Sequence, residues 1–299
     1  MKLVWIQSPR AGLGNKILVW ANGVAYAKRY NLNYVTTGWV SIFVGPILRG
    51  ETSLRFYSGY FKECSLWQKL KVKILGSFYT KFKNPKEFEF DETNKLVVFN
   101  EVKFWMHFFD DIRDYRSYIK TTFYKELLKK SLYKSIQHLS APLIGIHIRM
   151  GDFSNQKVEK NFNWDKSTLE RTPLSYFSTV ISELRALAKK QIKVTLFSDG
   201  TREELREILA IPDVSLASNQ RDIDDLIQLS KSKVIVCSAS STFSLLAGYF
   251  SEAALIHHPN FYIRPIRDEE FNDNHFEGPF KTIKEMDYNM KKLLLEKLN

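Results

Sequence analysis

The segment Gly145-Ile-His-Ile-Arg-Met-Gly-Asp152 carries two side chains able to do chemistry, His147 and Arg149, two positions apart. The apolar run LIGIHI (143–148) leads into it, so the segment reads as a strand. Alternation along a strand then puts His147 and Arg149 on one face. Both stand at its carboxyl end, where open α/β sheets bind ligands. A guanidinium is planar, permanently charged and able to hold two phosphate oxygens at once. A plainer role for Arg149 is a structural ion pair with Asp152. For His147, a satisfied half-buried ring and a ligand contact fit the pattern equally well.

Four other constellations have the right residue types. Gly12-Leu-Gly14-Asn15 follows the apolar run KLVWIQS and opens a helical pattern. A dinucleotide fingerprint would need a third small residue where Ile17 stands, and a P-loop would need Gly-Lys where Asn15 intervenes. The glycines still permit close approach of a ligand or of another backbone segment, beside helix-start amides that lack partners. Asp199, in FSDG, either caps the following helix or faces the ligand. Asp222-Ile-Asp224-Asp225 precedes the run LIQLS. Carboxylates that hold a divalent cation for a sugar nucleotide belong on a loop after a strand; acids heading a helix are stabilised by its dipole. No metal is therefore expected, and the acids either cap the helix or offer one carboxylate to the N–H edge of a guanine. Ser238-Ala-Ser240-Ser241-Thr242 joins a strand to a helix and makes either an anion cradle or a simple cap.

Elements must hold these groups in place. The pattern predicts strands over 2–8, 32–37, 95–100, 143–148, 192–197, 233–238 and 253–258. Helices are expected from Asn15 to about Tyr30, along much of Asp110–His138, and from Thr172-Pro173 to about Lys190. Others are expected in TREELREIL, from Asp222 to Lys231, after Ser241, and in the tail EMDYNMKKLLLEKL. Between 40 and 95 no clean period emerges. The strand–helix alternation implies parallel sheets, and Ser140-Ala-Pro142 punctuates two α/β halves, 1–139 and 140–299.

The 299 residues suit one large or two medium domains, and 44% apolar residues suffice for a core. Two cysteines, Cys64 and Cys237, build neither a disulfide framework nor a cysteine metal site. With no signal-peptide pattern and no long apolar span, a cytoplasmic protein is expected. The net charge of +11 attracts polyanions, phosphorylated molecules or anionic lipid, and much of it lies in 62–86 and the tail. Peripheral contact with the inner membrane face is compatible with it. A nucleic-acid binder would interleave exposed aromatics with Lys and Arg; here the strand–helix pattern claims most aromatics for cores. Ile17 argues against a nicotinamide dehydrogenase.

Three segments together resemble the fucosyltransferase superfamily that includes bacterial α-1,2-fucosyltransferases and the α-1,6- and protein O-fucosyltransferases. AGLGNKILVWANGVAYAKRYN is similar to its first glycine motif with the helix after it, GIHIRMGDF to its His-x-Arg-Arg-Gly-Asp motif, and DLIQLSKSKVIVCSASSTFS to the stretch from an Asp to a Ser-Ser/Thr turn. FSDG, TPLSYF and KFWMHFFDDIRDY look like the α-1,2 branch. Met150 stands where the motif has its second arginine, and Lys16 where it has Gln. The resemblance implies two Rossmann-like domains facing a cleft, the type-B glycosyltransferase architecture, with the tail helix able to pack back on the first. It implies inverting transfer of fucose from GDP-fucose to a sugar hydroxyl of an oligosaccharide acceptor, with galactose and the 1,2 linkage given by analogy. No cofactor or nucleic acid is expected. Arg149 would hold phosphate, Asp225 guanine, and the turn at Ser240, Ser241 and Thr242 the diphosphate; Gly12, Gly14, Asn15, His147 and Asp199 would line the donor site. Asp152, Glu159 and His147 are candidates for the base that takes the acceptor proton.

Overall fold

The computed structural model describes residues 2–40, 56–90, 93–151, 171–219, 221–262, 264–267, 271–272 and 275–299. The chain divides into two compact units, 1–137 and 138–299.

In the first unit, strand β1 (Leu3–Gln7) leads into helix α1 (Leu13–Arg29) and strand β2 (Asn33–Thr37). Helix α2 (Leu66–Phe78), β3 (Lys81–Lys83) and β4 (Leu96–Phe99) follow. The four strands form a parallel sheet in the order β2-β1-β4-β3. Helix α1 buries Ile17, Trp20, Ala21 and Val24 on one sheet face. It lies so close that a Cβ on Gly23 would meet the Ile6 side chain at 2.4 Å. On the other face, Val72 of α2 packs with Leu3, Trp5, Val35, Leu96 and Val98.

The long helix expected over 110–138 is broken into α3 (Arg116–Thr122), a π-helical turn (Phe123–Leu127) and α4 (Lys130–Gln137). The cause lies elsewhere in the chain: Leu128 is extended and bridges to Phe61, with Lys62 N donating to Leu127 O and Lys129 N to Tyr60 O.

The second unit carries β5 (Ile144–Ile148), α5 (Leu174–Ala188), β6 (Val194–Ser198), α6 (Arg206–Leu209), β7 (Val214–Leu216) and α7 (Asp222–Ser230). Then come β8 (Val234–Val236), α8 (Thr242–Phe250), β9 (Ala254–His257), β10 (Phe271–Asn272), β11 (His275–Pro279) and α9 (Tyr288–Leu298). Its sheet runs β10-β11-β9-β8-β5-β6-β7, parallel except for the β10–β11 pair. From β5 the chain builds outward through β6 and β7, then returns to lay β8 and β9 on the other side. The reversal falls between β5 and β8, and in open α/β sheets such a reversal opens a ligand crevice at the carboxyl ends of the two strands.

Ile144, Ile146 and Ile148 face one core with Phe177, Val180 and Ile181 of α5. The tail helix α9 adds Met290, Leu294 and Leu298 to that same core, so its apolar stripe is spent within the second unit. Residues 145, 147 and 149 face the other way. A Cβ on Gly145 would meet Ser232 Oγ at 2.3 Å, which is why a glycine stands there. Strand β11 was not expected, because Glu277 sits in its middle. That carboxylate is fully buried and accepts from Arg267 Nε (2.9 Å), Ile266 N (2.6 Å) and His257 Nε2 (3.1 Å). Burial alone would raise its pKa, but His257, Arg267 and the amide hold it down at about 2.

Candidate active site

The residues at the β5–β8 reversal are tied together by short polar contacts. Ser238, just past β8, donates to His147 O (2.7 Å) and accepts from Arg149 N (3.0 Å). One hydroxyl thus fixes the end of β5 against the end of β8. Across β6, Ser198 Oγ donates to Ile148 O (2.7 Å). These bonds set the direction in which Arg149 leaves its strand.

Arg149 pairs through Nη1 with Asp199 Oδ2, and both side chains keep about a quarter of their surface open. The other oxygen of Asp199 accepts the amides of Met150 (2.8 Å) and Gly151 (3.2 Å). Asp199 caps no helix. Thr201 and Glu204 close the turn that leads into α6, Glu204 N donating to Thr201 Oγ1 (3.2 Å) and Thr201 N to Glu204 Oε2 (2.8 Å). Asp199 instead clamps the turn after β5 and orients the guanidinium. A Cβ at Gly151 would stand 2.4 Å from the Asp199 carboxylate, so only glycine leaves that clamp room. Met150 is buried in the core beside α5. Its position therefore contributes packing rather than a second phosphate contact.

His147 is buried and stacks on Phe243, ring centroids 4.9 Å apart, with Nδ1 3.3 Å from Ser241 Oγ. Burial, then the neighbouring Arg149, holds its pKa down to about 3. The ring is neutral and a weak base, which suits it to positioning the Ser241 turn better than to taking an acceptor proton. Asp152 and Glu159, the other candidate bases, lie outside the described residues.

Ser240 takes a left-handed φ of 52°, and Ser241 stands at the N-cap of α8 with no side-chain capping bond. The Ser241 hydroxyl is turned to His147 instead. The helix-start amides of Thr242 and its neighbours, which lack intrahelical acceptors, face the carboxyl side of the sheet. A helix start of this kind, with its dipole, suits an anion, and it follows β8, the strand beside the one that Arg149 ends.

Asp225 lies in the first turn of α7 and accepts from Asn219 Nδ2 (2.8 Å). Burial pushes its carboxyl up to about 7, against the Asn219 hydrogen bond that lowers it. Asp224 is occupied by Arg221, Nε to Oδ2 2.6 Å and Nη2 to Oδ1 3.0 Å. Among the described residues no group of three His, Cys, Asp or Glu side chains is arranged to hold a metal ion.

In the first unit, Gly12 is the N-cap of α1 with an ordinary φ of −60°, and a Cβ there would meet nothing within 4 Å. Neither conformation nor packing demands a glycine there. Gly14 is buried in the first helical turn, and Asn15 Oδ1 is buried without a partner. Lys16 is fully buried, and its ammonium donates to Gly38 O (3.0 Å) and Ser8 Oγ (3.2 Å), bridging the ends of β1 and β2. Burial lowers its pKa to about 8.

Two residues of the second unit reach the site although the sequence did not mark them for it: Arg171, and Thr172, which was expected only as a helix start. Arg171 Nε donates to Met150 O (3.0 Å), bringing a second guanidinium to the turn after β5. Thr172 Oγ1 accepts from Ala239 N (2.9 Å) and braces the serine turn. Arg171 reaches its partners across 21 and 33 residues, so no local pattern could have marked it.

Searches by sequence find no match: no family model fits the chain, and no curated protein matches it. Solved structures do. A fucosyltransferase, NodZ from Bradyrhizobium, aligns with a TM-score of 0.52 at 14% identity, over 84% of this chain and 95% of its own. The chain shares a fucosyltransferase's fold. FUT1 of Arabidopsis thaliana in complex with GDP aligns at 15% identity over 85% of this chain and 70% of its own, with a TM-score of 0.42. POFUT1 in complex with GDP-fucose aligns at 11% identity over 84% and 94%, with a TM-score of 0.45. The fold assignment rests on the first of these.

Proposed function

We propose that this protein is an inverting, GDP-fucose-dependent fucosyltransferase. The observation that carries the reading is the meeting of Arg149, Ser238 and the uncapped start of α8 at the β5–β8 reversal, in a chain with a fucosyltransferase's fold.

The chemistry follows from where charge develops. As the bond from the sugar to the diphosphate breaks, negative charge builds on the β-phosphate. Arg149, held by Asp199, and the first amides of α8 stabilise that charge as preorganised donors. Asp225 accepts the guanine N–H edge, which selects GDP over other diphosphates. Asp152 or Glu159, which follow β5 in the sequence, takes the proton of the attacking hydroxyl; Asp152→Asn and Glu159→Gln, each assayed across pH, separate the two. No metal takes part in this scheme, because Asp224 is committed to Arg221 and the remaining charge work falls to cations of the protein. EDTA should leave turnover intact, and a loss that manganese restores would contradict the scheme.

The acceptor is a sugar hydroxyl. We assign it to galactose and the linkage to α-1,2 on the motif resemblance of FSDG and TPLSYF. Thermal-shift screening against GDP, UDP, ADP and NAD tests the donor class, since a ligand that binds only the native state raises the melting temperature. Stabilisation by GDP alone supports the reading, and stabilisation by NAD or UDP instead overturns it. NMR of the product formed from GDP-fucose and a galactosyl acceptor then reads the linkage.

A further inference from the structure

Helix α2 exposes apolar side chains in an unusual arrangement. Trp67 and Leu66 are about four-fifths exposed, as is Phe78, and Leu70 and Ile74 nearly half. At 100° per residue these five occupy about a third of the helix circumference. The core-facing residues Val72 and Leu75 lie on the opposite side. The stripe therefore points straight out from the sheet that α2 covers. Lysines border it on both edges: Lys71 on one, Lys69 and Lys73 on the other. Seven lysines and a single glutamate lie between positions 62 and 86, and that glutamate, Glu63, is paired with Lys69 at 2.6 Å. The helix needs no partner to form. Ser65 and Gln68 close a capping box at its start, and Val72 pins it to the core.

We infer that this face of α2 docks on an anionic lipid bilayer. A helix of 13 residues is about 20 Å long, too short to span hydrocarbon, and no helix among the described residues is long and apolar enough to cross a membrane. An apolar stripe with aromatic tips and a lysine border is the composition of a helix lying in the headgroup plane, its rings sunk to the acyl boundary and its ammonium groups among anionic headgroups. Charge complementarity selects this occupant. A second copy of the chain would bring two lysine-rich borders together, and a nucleic acid offers nothing to Leu66, Leu70 and Ile74. The inference does not depend on the proposed sugar transfer.

The test is co-sedimentation of the full-length protein with vesicles of phosphatidylcholine, and of phosphatidylcholine with about 30% phosphatidylglycerol. Binding to the anionic vesicles should exceed binding to the neutral ones at least tenfold, and weaken as salt is raised. Trp67→Ser with Phe78→Ser should lower the bound fraction about tenfold or more, and so should Lys71→Glu with Lys73→Glu. All four positions are exposed, and unchanged melting temperatures confirm that the variants fold. Failure of the wild type to bind anionic vesicles overturns the inference, as does undiminished binding by the serine variant. Light scattering that shows dimers dissolved by the serine substitutions, with vesicle binding absent, assigns the face to self-association instead. Vesicle binding that persists in a protein with no GDP affinity would count against the proposed function alone.

Discussion

Asp225 makes the proposed nucleotide site sensitive to pH in a direction that can be worked out. Burial raises its pKa from 3.8 to about 7, so below neutrality the unliganded native protein keeps a proton that the unfolded chain has released. Because the folded pKa is the raised one, stability contributed through this group is full below pH 3.8. It falls as pH rises toward 7, by at most about 4 kcal/mol at 1.36 kcal/mol per unit. A guanine edge donating to the carboxyl favours the ionised form and lowers the pKa again. Binding below pH 7 must then expel the proton. If only the ionised form binds, affinity tracks its population, about 3% at pH 5.5 and about 75% at pH 7.5. GDP should therefore bind about 25-fold more tightly at pH 7.5 than at pH 5.5 through this group. Calorimetry in buffers of different ionisation enthalpy should detect the released proton. The phosphates of GDP titrate in the same window, so Asp225→Asn is the reference. It should bind GDP more weakly at pH 7.5, lose the wild type's excess pH dependence, and melt higher than wild type without ligand. Equal pH profiles for the two proteins would refute the guanine assignment.

Asp199→Asn keeps an oxygen for the amides of Met150 and Gly151 but removes the charge that orients Arg149; kcat should fall by about tenfold or more, while far-UV circular dichroism stays unchanged. Arg149→Lys in the same assay should be intermediate, because an ammonium keeps the charge but not the fork. Glu277→Gln leaves Arg267 buried without its counter-charge and should cost about 3–5 kcal/mol in urea unfolding, far more than any surface pair.

The strands flanking the site were legible because each is a short buried apolar run bounded by polar residues. The expected 143–148, 233–238 and 253–258 correspond to Ile144–Ile148, Val234–Val236 and Ala254–His257. Helix α2 was not legible, because Leu66, Trp67, Leu70 and Phe78 put apolar residues on its solvent side and erase the period that Val72 and Leu75 would otherwise reveal. Strand β11 was hidden by Glu277, whose charge is neutralised by Arg267, ten residues away. At the site, residue types and strand ends were readable, but their partners were not. Arg149 finds a counter-ion 50 residues on, in Asp199. The Ser238 stitch spans 91 residues, and only the sheet order makes it visible.

The proposed transfer depends on Arg149 stabilising the departing diphosphate, and the most direct measurement is kcat/KM for GDP-fucose with Arg149→Ala. The Arg149–Asp199 pair is partly open to solvent, so its loss should cost about 1 kcal/mol or less of stability. The lost transition-state contact should cost about 2–4 kcal/mol, a fall of roughly 30- to 1000-fold in kcat/KM. A large fall in turnover at nearly unchanged melting temperature is the predicted result. A folded variant within about threefold of wild type would contradict the account.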